Sequence, residues 1–150
     1  MWQFPKGIRL KPDTTYGHRV RRQGQILVRD AQARYSAMAD PSLPVAQALE
    51  LHSLITPTEH GIASRVLTKQ GGGNVTLFAI DVGQGLTEHT SPFEAFVIVL
   101  EGALTLTVGR VSCEALPGQI VRLPAGVPHS VEAREASRML LVMLRDASHA

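Results

Sequence analysis

From residue 61 onward the chain breaks into short strand-forming runs with turn residues between them about every ten positions, the pattern of an all-β sandwich or barrel. The runs are IASRVLTK at 62–69, NVTLFAID at 74–81, a short one around 88–90, EAFVIVLEG at 94–102 and ALTLTVG at 103–109. VSCEAL at 111–116, QIVRLP at 119–124, HSVEA at 129–133 and RMLLVMLR at 138–145 complete the series. QGGG at 70–73 and VGQG at 82–85 supply turns. No Gly-Lys-Ser/Thr follows Gly71, Gly72 and Gly73, so these glycines read as a hairpin turn and not as a phosphate cradle. No helical periodicity is found after residue 61.

The residues before that point have a different texture. Residues 1–42 hold eight Lys or Arg against three Asp, a balance of +5, whereas residues 43–150 hold seven against ten, a balance of −3. Only 7 of the first 42 residues are Leu, Ile, Val or Phe, too few to build a core in that segment. Residues 1–42 therefore read as a basic N-terminal arm, in which IRL at 8–10 and QILVR at 25–29 are candidate edge strands. DPSLP at 40–44 suits a linker, and VAQALELHSLI at 45–55 has the composition of a short helix ended by Pro57. The expected division is arm 1–42, linker and short helix 43–60, and barrel 61–147.

Composition removes several classes of function. The apolar stretches FVIVL and MLLVML fall far short of the ~20 residues that a bilayer span requires, so no membrane partner is expected. Aromatic residues are 5% of the chain, too few for a stacking platform, and HRVRRQ at 18–23 reads as a solvated arm and not as a nucleic-acid site. Cys113 is the single cysteine, which excludes an intramolecular disulfide and a cysteine-rich zinc module. The basic start has no apolar block before a small-residue cleavage site, so the cytoplasm is the expected compartment.

Two stretches carry a family resemblance. GQGLTEHTSPFEAFVIVLEG at 83–102 resembles the first motif of the cupin superfamily, G-x5-H-x-H-x3-E-x6-G, and GQIVRLPAGVPHSVEA at 118–133 resembles the second, G-x5-P-x-G-x2-H-x3-N. Gly118, Pro124, Gly126 and His129 all fall on their motif positions. The resemblance runs from Ile62 to Arg145 and implies a double-stranded β-helix, the jelly-roll barrel, with an irregular N-terminal extension. In that family the two histidines and the glutamate of the first motif, with the histidine of the second, hold a divalent metal. His89 and His129 stand at two of these positions and are the candidate metal ligands. Ser91 replaces the second histidine, Ala95 the glutamate and Ala133 the terminal asparagine.

Two imidazoles fall short of the three or four protein ligands of ordinary zinc sites and of the two-histidine, one-carboxylate set of iron oxygenases. Glu94 cannot replace the residue at 95 by simple alternation, because neighbouring side chains in a strand point to opposite faces. Glu88, beside His89, is disfavoured by the same parity. If His89 and Ser91 face inward, Ala95, Val97 and Val99 do so on the next strand, and Val131 and Ala133 accompany His129. The expected site is thus an apolar pocket walled by Ala95, Val97, Val99 and Val131, with His89, Ser91 and His129 as a small polar cluster, suited to a small molecule.

The expected function is a small-molecule binding or sensing module with no cofactor. The alternative is a metal-dependent dioxygenase or isomerase with iron, nickel, manganese or zinc on His89 and His129. MLLVML and FVIVL are apolar on both strand faces and need cover, and the resemblance implies a homodimer, with residues 1–60 as candidate cover. Arg122 is expected to lay its stem on a surface with its guanidinium in water. Cys113 is expected to be an unreactive thiol.

Overall fold

A computed structural model describes residues 43–146, and the readings made of the N-terminal arm, including its two candidate strands, lie outside the described residues. Nine strands follow a single 3₁₀ turn: β1 Ile62–Gln70, β2 Gly73–Ile80, β3 Gly85–His89, β4 Glu94–Glu101, β5 Leu104–Val108, β6 Val111–Ala115, β7 Ile120–Leu123, β8 His129–Ala133 and β9 Ser137–Leu144. Each coincides, within a few residues at its ends, with a run expected from the sequence. The helix expected at 45–55 is reduced to Leu51–Leu54, whose N-cap residue Glu50 provides no side-chain cap. Residues this close to Pro57, without a cap, cannot offset the cost of helix nucleation.

The strands form two antiparallel sheets, β1-β2-β9-β4-β7 and β3-β8-β5-β6. This is the double-stranded jelly roll. Directly paired residues share a face, so the registers stack the inner surface of the first sheet into rows. One row is Asn74–Met143–Ala95–Leu123, the next Thr76–Leu141–Val97–Val121, and below it lie Phe78, Met139 and Val99. On the second sheet the rows are His89–His129–Val108, then Leu86–Val131–Leu106, then Ala133–Leu104–Ala115.

The lower rows interlock. Val97, Val99, Leu104, Leu106 and Met139 are 0% exposed and belong to one cluster with Ala95, Leu123, Val131 and Ala133. Each fully buried Val, Leu or Met contributes about 1.5–3 kcal/mol from apolar surface removed from water. Turns close the frame where only glycine fits. At Gly102 the backbone has φ +76, and a Cβ there would meet the Ser137 hydroxyl at 2.3 Å. Ser137 is itself buried, and its Oγ accepts the Ala103 N–H at 3.1 Å.

The outer surface of the five-stranded sheet is also apolar. Phe96, Ile98, Leu100, Leu140 and Val142 are half-buried there, and Ile120 is 61% exposed. No helix among the described residues is long and apolar enough to cross a membrane.

Candidate functional site

The first rows of the two sheets meet at one end of the barrel. β3 ends at His89 and β4 begins at Glu94, while β7 ends at Leu123 and β8 begins at His129. Two short loops, 90–93 and 124–128, therefore carry the chain between the sheets at this end. They are tied together by the Gly126 N–H, which donates to the Ser91 carbonyl at 2.8 Å. Gly126 takes φ +74, a left-handed conformation that suits glycine in this loop.

His89 and His129 come together at this mouth. Their ring centroids are 4.5 Å apart with planes at 66°, an edge-on contact. His129 is 4% exposed, whereas His89 faces solvent. Each Nδ1 lies within hydrogen-bond distance of a carbonyl two residues earlier, Thr87 O at 2.7 Å for His89 and Val127 O at 2.9 Å for His129. Only an Nδ1–H can donate to a carbonyl oxygen, so both neutral rings take the same tautomer and keep the lone pair on Nε2. Neither Nε2 has a hydrogen-bond partner among the described residues.

A bulge sets the angle of His89. Leu86 pairs with Val131 and His89 with His129, so three steps on β3 oppose two on β8. The extra residue brings Leu86, packed against the core, and His89 to the same side although they are an odd number of positions apart. Thr87 and Glu88 are exposed on the bulged segment. The register shift falls between Leu86 and His89, so alternation does not carry through from one to the other.

The other expected site residues occupy different depths. Ala95 and Val131 are each 3% exposed, beside and just beneath the histidines, while Val97 and Val99 lie deeper with no exposed surface. A side chain with no accessible surface borders no water-sized space, so Val97 and Val99 line no opening at the mouth. Ser91 is half-buried, and its Oγ accepts the Phe93 N–H at 3.1 Å, which makes it a cap for the loop.

The carboxylate nearest the motif position is tied up elsewhere. Glu94 and Arg122 share the outer face, and Arg122 Nε donates to Glu94 Oε1 at 2.5 Å. That bond, with the charge of Glu94, raises the Arg122 guanidinium pKa above its usual value. Ala95, one residue on, faces inward with a methyl group. Among the described residues no three His, Cys, Asp or Glu side chains gather in a way that could hold a metal ion. The donor set at the mouth therefore does not fit a resident divalent metal.

Asn74, which no sequence pattern marks, stands in the first inner row beside Met143. Its Oδ1 is sequestered from solvent and accepts no hydrogen bond, a state that costs about 1–3 kcal/mol. A separate recess of about 300 Å³, lined by Leu49, His52, Leu100, Glu101 and Arg138, involves neither histidine of the mouth. Cys113 is exposed on β6.

The cupin-domain family model matches residues 76–144, which contain both histidines and all of β3 to β9. No curated protein sequence matches the chain. Among solved structures, a conserved protein of unknown function from Streptococcus pyogenes is 31% identical, with a TM-score of 0.67 over 70% of this chain and 92% of that one. A cupin superfamily protein from Desulfitobacterium hafniense is 24% identical, with a TM-score of 0.66 over 70% of this chain and 96% of that one. A cupin-2 conserved barrel domain protein from Leptotrichia buccalis is 28% identical, with a TM-score of 0.60 over 63% of this chain and 46% of that one. With two motifs in register, nine strands in jelly-roll order and a matching domain model, the chain belongs to the cupin superfamily.

Proposed function

We propose that this cupin domain is a binding or sensing module that takes a small organic molecule at the barrel mouth and works without a resident metal. The observation that carries this reading is the paired state of His89 and His129, with both Nδ1 atoms engaged by carbonyls and both Nε2 atoms left to act. Ala95 and Val131 supply the apolar floor, and Ser91 shapes the rim. A few polar groups over apolar walls are the ordinary design for holding a small molecule in one orientation.

The fixed tautomer also favours a second reading, because a metal-binding histidine commonly has its other nitrogen hydrogen-bonded. In that reading His89 and His129 would hold a divalent ion in a dioxygenase or isomerase, but the carboxylate and third imidazole that would complete the set are replaced by Ala95 and Ser91. Metal analysis of protein purified without a histidine tag and without added metal separates the two. Substoichiometric metal is expected. Near-stoichiometric metal that disappears in His129→Ala would overturn the first reading.

We also propose a homodimer in which the apolar outer face around Phe96, Ile98, Leu140 and Val142 is covered by a second copy. Light scattering at micromolar concentration should return twice the chain mass of 16.2 kDa. A monomer would remove this part of the reading.

A further inference from the structure

We infer that Asn74 is the third polar group of the mouth and that its carboxamide, together with the two histidines, reads neighbouring hydroxyl groups of a polyhydroxylated small molecule. The inference rests on the mouth reading proposed above and extends it by a residue and a ligand class. Asn74 lies outside both cupin motifs of the chain.

Three observations place it there. Met143 pairs with both Asn74 and Ala95, so Asn74 lies in the same inner row as the alanine that stands at the carboxylate position. Met143, Ala95 and Leu123 all pack on the core cluster, which fixes this row on the inside of the barrel. The Arg145 N–H donates to Gly72 O at 2.9 Å, which ties the β1–β2 turn to the end of β9, and Arg145 lies over the Phe93 ring of the loop between β3 and β4. Asn74, at the start of β2, therefore belongs to the end of the barrel where the histidines meet.

The chemistry follows from the atoms. Asn74 Oδ1 is shielded and has no donor, and the two imidazole Nε2 atoms are acceptors in the tautomer that their carbonyl bonds impose. In the bound state that we infer, the carboxamide oxygen accepts from one hydroxyl while its NH2 donates to the next. A hydroxyl also donates to an imidazole Nε2. The inner rows at this end, Asn74–Met143–Ala95–Leu123 and His89–His129–Val108, contain no Lys, Arg, Asp or Glu; Lys69, paired with Asn74 on the edge strand β1, is exposed. The site thus selects hydroxyl groups, and Lys69 is the one row neighbour able to add a preference for a carboxylate.

The test uses the full chain, isotopically labelled, titrated with xylitol, with xylonate and with pentane-1,5-diol, which has the same chain length and fewer hydroxyls. Saturable shifts of the Asn74 side-chain amide and of the His89 and His129 ring nitrogens are expected with xylitol or xylonate. Binding at least tenfold weaker is expected for the diol and for Asn74→Leu. If Asn74→Leu does not fold, Asn74→Asp, which keeps an oxygen and loses the NH2, should still weaken xylitol binding. Shifts at the histidines that are equal for all three probes, or unchanged affinity in the folded Asn74 variant, would overturn the role of Asn74 and leave the mouth reading standing. No saturable shift at either histidine with any probe would overturn both.

Discussion

The floor of the barrel and its mouth are built from the same strands, one or two residues apart, yet they answer to different rules. At the floor, Val97, Val99, Leu104, Leu106 and Met139 from both sheets fill the interior. At the mouth, the same inward alternation presents His89, His129 and Asn74, and the buried polar atom left without a partner on β2 lies in this row. The alternation of the strands fixes which residues face in. Depth along the barrel then decides whether an inward position holds a fully covered apolar side chain or a polar one.

The sharpest way to test this division is to remove one group from each level. Leu106→Ala should lose about 2–5 kcal/mol, because a fully buried leucine leaves a cavity that its neighbours cannot close. His89→Ala, at the solvent-facing rim, should stay within about 1 kcal/mol of the parent. Chemical denaturation of the two variants measures both, and equal losses would show that the mouth is packed like the floor.

A second experiment tries to turn the mouth into a metal centre. Ala95→Glu places a carboxylate at a buried position and should cost on the order of 2 kcal/mol or more without metal. Adding Ser91→His supplies the missing imidazole, and zinc at a hundred times its dissociation constant should then return about 2.7 kcal/mol. Thermal unfolding with and without zinc reads this recovery. The same zinc-dependent gain in the parent protein would mean that two histidines already suffice.

The strands were legible because their turns are marked by glycine and proline and their inner residues alternate. QGGG at 70–73 and the paired motif glycines announce the connections, and Ala95, Val97 and Val99 face inward by the parity that the sequence predicts. Three features could not be read in this way. The β3 bulge depends on pairing with β8, so nothing within GLTEH marks the extra residue or fixes the direction of Glu88. The outward turn of Glu94 is readable from parity, but its bond to Arg122 depends on a β7 partner 28 residues away. Asn74 lies in a strand flanked by β1 on one side and on the other by β9, the last described strand, so its place in the Ala95 row is visible only once that long-range register exists.

Ser137 offers a polar counterpart to the floor. Its buried hydroxyl accepts the Ala103 N–H and lies within 2.7 Å of the Glu135 carbonyl, to which it donates. Ser137→Ala removes the partner of that N–H in a turn already tightened by Gly102, so a loss of about 1–2 kcal/mol is expected in denaturant titration. A neutral result would mean that the turn relaxes enough to let water in, which the packed lower barrel should not allow.

The smallest expected effect lies at the far end from the mouth, where β2 ends. The Asp81 carboxylate accepts the His60 N–H at 2.7 Å and the Val82 N–H at 2.9 Å. These two bonds, the His60 one first, hold its pKa below the ordinary value of 3.8. A carboxyl depressed on folding stabilises the native state at pH above its unfolded value, and this contribution fades as pH falls through the lower folded value. Asp81→Asn has one carbonyl oxygen left to accept and an NH2 that repels the second donor, so the variant should be slightly less stable at neutral pH. The gap should stay constant above about pH 5, where the carboxyl is ionised in both states, and narrow as acid protonates Asp81 in the parent. A gap that stays the same in acid would show that the clamp acts through the geometry of the 59–61 turn and not through charge.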